Sequence, residues 1–179
     1  MRIIKLNEQS RANILADLLK RDPNNYSAYE GTVQEIVDDV RARGDEALFE
    51  YTKKFDGAEL SADNIRVTQA EIQEALSQVD PNLLAVMKKS MKNIREYHEK
   101  QKQYSWFDSK PNGTILGQKV TALSSVGVYV PGGKAAYPSS VLMNIIPAEV
   151  AGVEKIVMVT PPGKDGKVCA STLVAAKEA

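Results

Sequence analysis

Two short apolar runs, Ser125 to Val130 and Lys155 to Thr160, limit what this chain can fold into more than any other feature. The residues between them are too many for a tight turn and carry helix signals. Ser139 or Ser140 can cap a helix that runs through Ala151, and Gly152 can end it. A strand, a helix and a second strand in this order predict a parallel pair, because parallel neighbours need a crossover connection. The nearly continuous apolarity of Ser125–Val130 predicts a strand covered on both faces. Pro147 falls inside the predicted helix, where it removes a backbone hydrogen bond, and is expected to kink or divide it. Pro161-Pro162 stops the second strand. A last helix starts near Ser171, and STLVAAKEA holds no stop signal before Ala179. One βαβ unit with an unfinished second helix is not a complete parallel sheet. The fold class is therefore α/β, with a parallel βαβ sheet that is only begun in this chain.

The first half reads as helical. Ile14, Leu15, Leu18 and Leu19 recur at helical spacing in a helix over Asn7–Arg21. After the turn-rich DPNN come Val33, Ile36, Val37 and Val40 on a second helix, with Gly44 as its C-cap. Asp45 is read as the N-cap of a third, which carries Leu48, Tyr51 and Phe55 and closes at Asp56-Gly57. Ile65 and Val67 suggest a short strand. Thr68 with Glu71 forms a capping-box pattern, and Asp80-Pro81 starts a long helix to about Lys102. Its apolar stripe is Leu84, Met87, Met91, Ile94 and His98, expected to pack on its own domain. Tyr104-Ser105-Trp106-Phe107 is an aromatic cluster expected to pin a loop to the core, with stacking on a ligand as the alternative. Pro111-Asn112-Gly113 is a turn signal. Thr114–Leu116 and Lys119–Thr121 read as short strands around Gly117.

The strand-to-helix connection GVYVPGGKAAYPSS looks like a phosphate loop and fails the test. Gly127 and Gly132 are correctly separated, but Gly133 intrudes and Lys134 comes one residue late. Ala135 stands where a hydroxyl would hold magnesium, and no glycine triplet has the dinucleotide spacing. Its position still matters. Tyr129, Val130, Pro131, Gly132 and Gly133 lie at the carboxyl edge of the first strand, where open α/β sheets bind ligands. The glycines permit close backbone approach, and the next helix begins nearby with free N–H groups. Alternatively the segment is only a tight connection, with Tyr129 a packed strand residue and Lys134 a solvated one.

Composition removes several function classes. The 179 residues carry 23 basic and 23 acidic side chains, a formal net charge of zero. Nothing in that balance draws a nucleic acid or an anionic membrane. The N-terminus does not read as a signal peptide, and no segment reads as a membrane span. One cysteine, Cys169, excludes an internal disulfide and suits a cytoplasmic setting. With one histidine, His98, a zinc site or a catalytic triad is hard to assemble. His98 is expected to be half-buried on its helix, and Cys169 to be a small packed residue. No residue of the chain is assigned a catalytic or metal-ligating role.

The string VGVYVPGGKAAYPSSVLMNIIPAEVAGVEKIVMVTPPG closely resembles the histidinol dehydrogenase family. Val33 to Gly57, V-x-x-I-V-x-D-V-R-x-R-G-D-E-A-L-F-E-Y-T-x-x-F-D-G, resembles it as well. Ser124-Ser125 stand where many members have Asp-Arg, and Glu149 where Lys or Gln is common. The resemblance implies a fold with Rossmann-like domains and a zinc-dependent homodimer. The activity implied is oxidation of L-histidinol to L-histidine with two NAD, through an enzyme-held aldehyde, the last step of histidine biosynthesis. It also implies that Tyr129 contacts NAD. Family members are more than twice as long, so the zinc ligands, the Glu-His acid/base pair and most histidinol contacts are expected outside this chain, and the chain alone is expected to be inactive. Three parts are expected: an N-terminal helical segment over 1–22, a helix-rich part of a first α/β domain over 23–122, and the start of a second Rossmann-like domain over 123–179. The other reading is a short non-catalytic binding or assembly module that kept the fold.

Overall fold

The structure is a computed structural model that describes residues 5, 7–12, 26–132 and 136–179. It divides into two compact units, Met1–Leu48 and Phe49–Ala179. The expected apolar face at Ile14, Leu15, Leu18 and Leu19, the DPNN turn, Gly133 and Lys134 lie outside the described residues.

In the first unit, residues 8–12 are helical. Asn7 caps them reciprocally: its Oδ1 accepts the Ser10 amide at 2.7 Å, and the Ser10 Oγ accepts the Asn7 amide at 2.9 Å. Helix α1 spans Ser27–Arg43 and ends at Gly44, whose φ of 63° favours glycine. None of its residues is buried: in its stripe Ile36 and Val40 are half-buried, and Val33 and Val37 are exposed. Helix α2, Asp45–Phe55, follows at once. Asp45 is its first helical residue rather than its N-cap, because the Gly44 carbonyl already accepts the Leu48 amide.

In the second unit α2 ends before Asp56-Gly57, with Tyr51 stacked on Phe55 at 5.8 Å. No strand forms at Ile65 and Val67. There the Asn64 Oδ1 accepts the Ser61 amide at 2.6 Å and folds the segment into a turn, which wins over β propensity. Helix α3 spans Gln69–Gln78 behind a complete capping box. The Thr68 Oγ1 accepts the Glu71 amide, and the Glu71 carboxylate accepts the Thr68 amide at 2.7 Å. Helix α4, Pro81–Glu99, starts at Asp80, whose Oδ1 accepts the Asn82 amide at 2.8 Å. Met87 is buried, and Leu84, Met91 and Ile94 pack beside it against the core.

The hairpin differs from the sequence expectation in its pairing. Strand β1, Trp106–Ser109, pairs antiparallel with β2, Ile115–Gln118, across the Asn112-Gly113 turn. The ladder places Gly117 opposite Phe107, and a Cβ on Gly117 would stand 2.3 Å from the Trp106 carbonyl oxygen. Gly117 therefore lies inside a strand, as the point of closest approach, and not between two strands. Lys119–Thr121 forms no strand, because the Ser105 Oγ accepts the Val120 amide at 2.8 Å and donates to its carbonyl at 3.2 Å. The aromatic cluster does not pin a loop to the core: Tyr104, Trp106 and Phe107 are all exposed.

The parallel pair forms as expected. Strand β3, Ser125–Tyr129, pairs with β4, Lys155–Val159, in the register Val126↔Ile156, Val128↔Met158 and Tyr129↔Val159. Helix α5, Pro138–Val150, is the crossover. It starts with Pro138 in its first turn behind Tyr137, not at a serine cap, because a proline φ is already helical. Pro147 does not divide it. The Ala151 amide still reaches the Pro147 carbonyl at 2.9 Å, and Gly152 at φ 86° closes the end. Helix α6 spans Ala170–Glu178.

The core is one cluster on one side of this sheet. Val128 and Val130 of the strand side meet Val141, Leu142, Ile145, Ile146 and Val150 of α5 and Leu173, Val174 and Ala175 of α6. Helix α5 also packs on α4, and α6 on α3. Among the described residues nothing covers the other sheet face, where Tyr129, Val157 and Val159 are exposed. Within this chain the expected cover is thus present on one face.

Two stability effects follow. Ile146→Ala, at a wholly buried position, is expected to cost about 2–5 kcal/mol, read from the denaturant midpoint. Thr68→Ala is expected to cost about 1 kcal/mol. Hydrogen bonds from Thr68 hold the Glu71 carboxyl below its ordinary value of 4.5. Its share of stability is complete above that value and is lost as pH falls through the lowered one. Glu71→Gln should flatten the acid limb of the stability curve, and an unchanged limb would show that the box contributes nothing there.

Candidate functional site at the carboxyl edge of the parallel strands

The two parallel strands end side by side. The Val130 amide donates to the Val159 carbonyl at 2.9 Å, which extends the ladder one step beyond β3. From there the chains leave in two turns, Pro131-Gly132 after β3 and Thr160–Cys169 after β4. The turns are in close contact. A Cβ on Gly132 would stand 2.9 Å from the Pro161 carbonyl oxygen and 3.3 Å from the Thr160 Oγ1.

The turn after β4 is built by its own backbone. Gly163 N–H donates to the Lys167 carbonyl at 2.8 Å, and Gly166 N–H to the Gly163 carbonyl at 2.9 Å. The Asp165 Oδ1 accepts the Lys167 amide at 3.1 Å, an Asx-type closure. The Lys167 ammonium reaches the Glu74 carboxylate of α3 at 3.2 Å. Both partners are more than half exposed, so this ion pair holds orientation more than it adds stability.

Between these turns and α3 lies a groove of about 590 Å³, lined by Gly132, Thr160, Pro161, Lys167, Cys169 and Glu74 among others. Its volume lies in the range of small-molecule sites. At its rim Cys169 precedes the first turn of α6, with its Sγ 3.4 Å from the Ser171 Oγ. The thiol is exposed, which corrects the expectation of a packed residue. The Ser171 hydroxyl draws its pKa below the ordinary thiol value, with partial burial opposing.

Tyr129 is the last residue of β3 and stands at the same edge, but on the opposite face from Val128 and Val130. It is 63% exposed, beside Val159 in the ladder. Its ring is directed to that opposite face, while Gly132 borders the groove. The two are three residues apart and flank one strand end. A second groove, about 570 Å³, is lined by His98, Tyr104, Val120, Leu123, Pro147 and neighbours, away from this edge. His98 is half-buried there, edge-on to Tyr97 at 5.2 Å.

The strand-end position of Tyr129 and the close approach at Gly132 could be read from the sequence. Glu74 and Lys167 could not, since 93 residues separate them and neither has a local signal. Pro161-Pro162 signals the end of the second strand and nothing of how the turn beyond it is built. Among the described residues, no group of three His, Cys, Asp or Glu side chains could hold a metal. No helix among them is long and apolar enough to cross a membrane.

The comparisons with known proteins agree on one family. A family model described as histidinol dehydrogenase matches residues 19–179. The chain is 60% identical over 147 residues to the histidinol dehydrogenase of Bacillus subtilis and 56% identical over 147 residues to that of Heliobacterium mobile. Each match covers 82% of this chain and 34% of the relative. The crystal structure of histidinol dehydrogenase from Elizabethkingia anophelis superposes with a TM-score of 0.78 at 33% identity, over 84% of this chain and 34% of that one. The chain thus spans about a third of the length of the relatives it matches, in their N-terminal portion. The chain belongs to the histidinol dehydrogenase family.

Proposed function

We propose that this chain is the N-terminal portion of a histidinol dehydrogenase and that its parallel strand ends form part of the dinucleotide site. The whole enzyme, as a cytoplasmic homodimer, would oxidise L-histidinol to L-histidine with two NAD. NAD, where bound, would accept a hydride in each of the two oxidations, alcohol to aldehyde and hydrated aldehyde to carboxylate, with the accompanying protons released to a base outside this chain. The supporting observation is the carboxyl edge of β3 and β4 in a chain of this family, with Tyr129 at a strand end. Open parallel sheets hold ligands at that edge. Tyr129 would offer its exposed ring to the cofactor, whereas the first turn of α5 adds little, since Pro138 has no N–H and the Ser140 and Val141 amides already donate to the Tyr137 carbonyl. Residues 123–179 would then be the start of a second Rossmann-like domain, after the helical segment over 1–22 and the first-domain part over 23–122.

Zinc finds no three-residue ligand set among the described residues. We assign it no ligand in this chain and route no step through it. Its ligands, the acid/base pair and most contacts to histidinol belong to the part of the relatives that has no counterpart here.

The purified chain, given histidinol, NAD and zinc, is expected to make no NADH and to retain no stoichiometric zinc after dialysis. NADH formation at an intact enzyme's rate would refute the proposed division of labour. A chimera in which this chain replaces the matching third of the Bacillus subtilis enzyme should make NADH. A folded, zinc-loaded chimera without activity would favour a non-catalytic module instead.

Tyr129→Ala in that chimera is expected to weaken NAD binding by about 1–3 kcal/mol, with zinc content unchanged. If Tyr129 only packs, the melting temperature falls and the dissociation constant stays. Titration calorimetry and a melting curve on the same variant decide between these outcomes.

A further inference from the structure

We infer that Gly132 is a positioning residue for the dinucleotide: its missing side chain lets the turn after β3 lie flush against the turn after β4, so that both strand ends present one continuous floor. The inference rests on the proposed cofactor site at this edge.

The demand at Gly132 is steric. Gly132 has no positive φ, so backbone conformation does not demand glycine there. Space does. Any Cβ would sit 2.9 Å from a backbone oxygen, that of Pro161, and 3.4 Å from the Pro161 ring Cδ. A contact under 3 Å with backbone cannot be relieved by turning a side chain, so one of the two turns must move.

Neither neighbour gives way easily. Val130 is fully buried and tied to Val159, so β3 is fixed up to two residues before Gly132. Beyond Pro161, the Gly163–Lys167 bonds and the Lys167–Glu74 pair hold the second turn. The displacement therefore falls on Gly132 and Pro161 themselves, and both line the groove. Gly127 is the contrast: it lies in β3, and a Cβ there meets nothing within 4 Å. The steric demand is local to the exit turns.

The test uses Gly132→Ala in the chimera. The KM for NAD should rise about tenfold, which corresponds to a loss of about 1.4 kcal/mol of cofactor binding. The kcat at saturating NAD and the zinc content should stay close to the parent's, while the melting temperature falls only modestly, as the shifted turn is at the surface end of the strands. A second change, Pro161→Ala, removes the ring contact and the fixed φ, and should recover part of the affinity. Thr160→Ile fills the same gap from the β4 side with Gly132 intact and should reproduce the selective rise in KM. An unchanged KM in both Gly132→Ala and Thr160→Ile overturns the inference, and so does a large fall in melting temperature with kcat and KM moving together. Tyr129→Ala, measured alongside, separates the two proposals. If it weakens NAD binding while Gly132→Ala does not, positioning by Gly132 is wrong and the cofactor site stands. If neither variant changes NAD binding, the site itself is wrong.

Discussion

Parallel pairing between strands that follow one another in sequence sets the rest of this structure. The chain must return from one end of β3 to the start of β4, and α5 is that return. A crossover helix lies against the sheet it serves, and α5 buries Val141, Leu142, Ile145, Ile146 and Val150. These residues recur at three, four and five positions, so they form a wide stripe and not a narrow seam. The stripe is broad enough to meet the strands on one side and α4 and α6 on others. Remove the parallel pairing and the helix loses its reason to be there, and with it the common surface on which α4 and α6 pack.

Local signals in the sequence anticipated most of the elements. The capping box at Thr68, the Asp80-Pro81 start, the Asn-Gly turn and the βαβ order each rest on contacts within a few residues, and each is present. The misreadings share a different cause. Ile65 and Val67 have strand propensity, but Asn64 and Ser61 close a turn just before them, and the Ser61 carbonyl takes the Ile65 amide. Lys119–Thr121 alternates like a strand, but the Ser105 hydroxyl takes the Val120 backbone groups. Continuous apolarity in β3 suggested two covered faces, yet apolarity records what a residue tolerates, not what lies over it. Pro147 is expected to kink or divide α5, and the helix is not divided. An interior proline costs about 3 kcal/mol or more, which the buried stripe of α5 offsets.

The same asymmetry governs the candidate site. Helices α5 and α6 lie on one sheet face, and the groove opens where their side meets the strand ends. Tyr129 is on the other face, at the same end. A ligand that met both the groove and Tyr129 would have to pass over the carboxyl ends of the strands, across Pro131-Gly132. This is the stretch where side-chain bulk is excluded. Gly132 thus separates the exposed ring of Tyr129 from the groove at this strand end.

The polar groups at this edge are largely engaged with one another. Lys167 faces Glu74, Asp165 accepts the Lys167 amide, and Cys169 lies against Ser171. Groups committed in this way fix the shape of a groove, but each must give up a partner before it can bind anything new. Exposed pairs are weak, so the exchange costs little for Lys167. A backbone-built turn cannot exchange at all without unfolding its own bonds. A cofactor bound at this edge, as proposed, would be met first by shape and stacking, with the charge of Lys167 as the one adjustable contact among those described. The contact of Gly132 with Pro161 joins residues 29 apart in two different turns, so no local pattern in GVYVPGGKAAYPSS shows it.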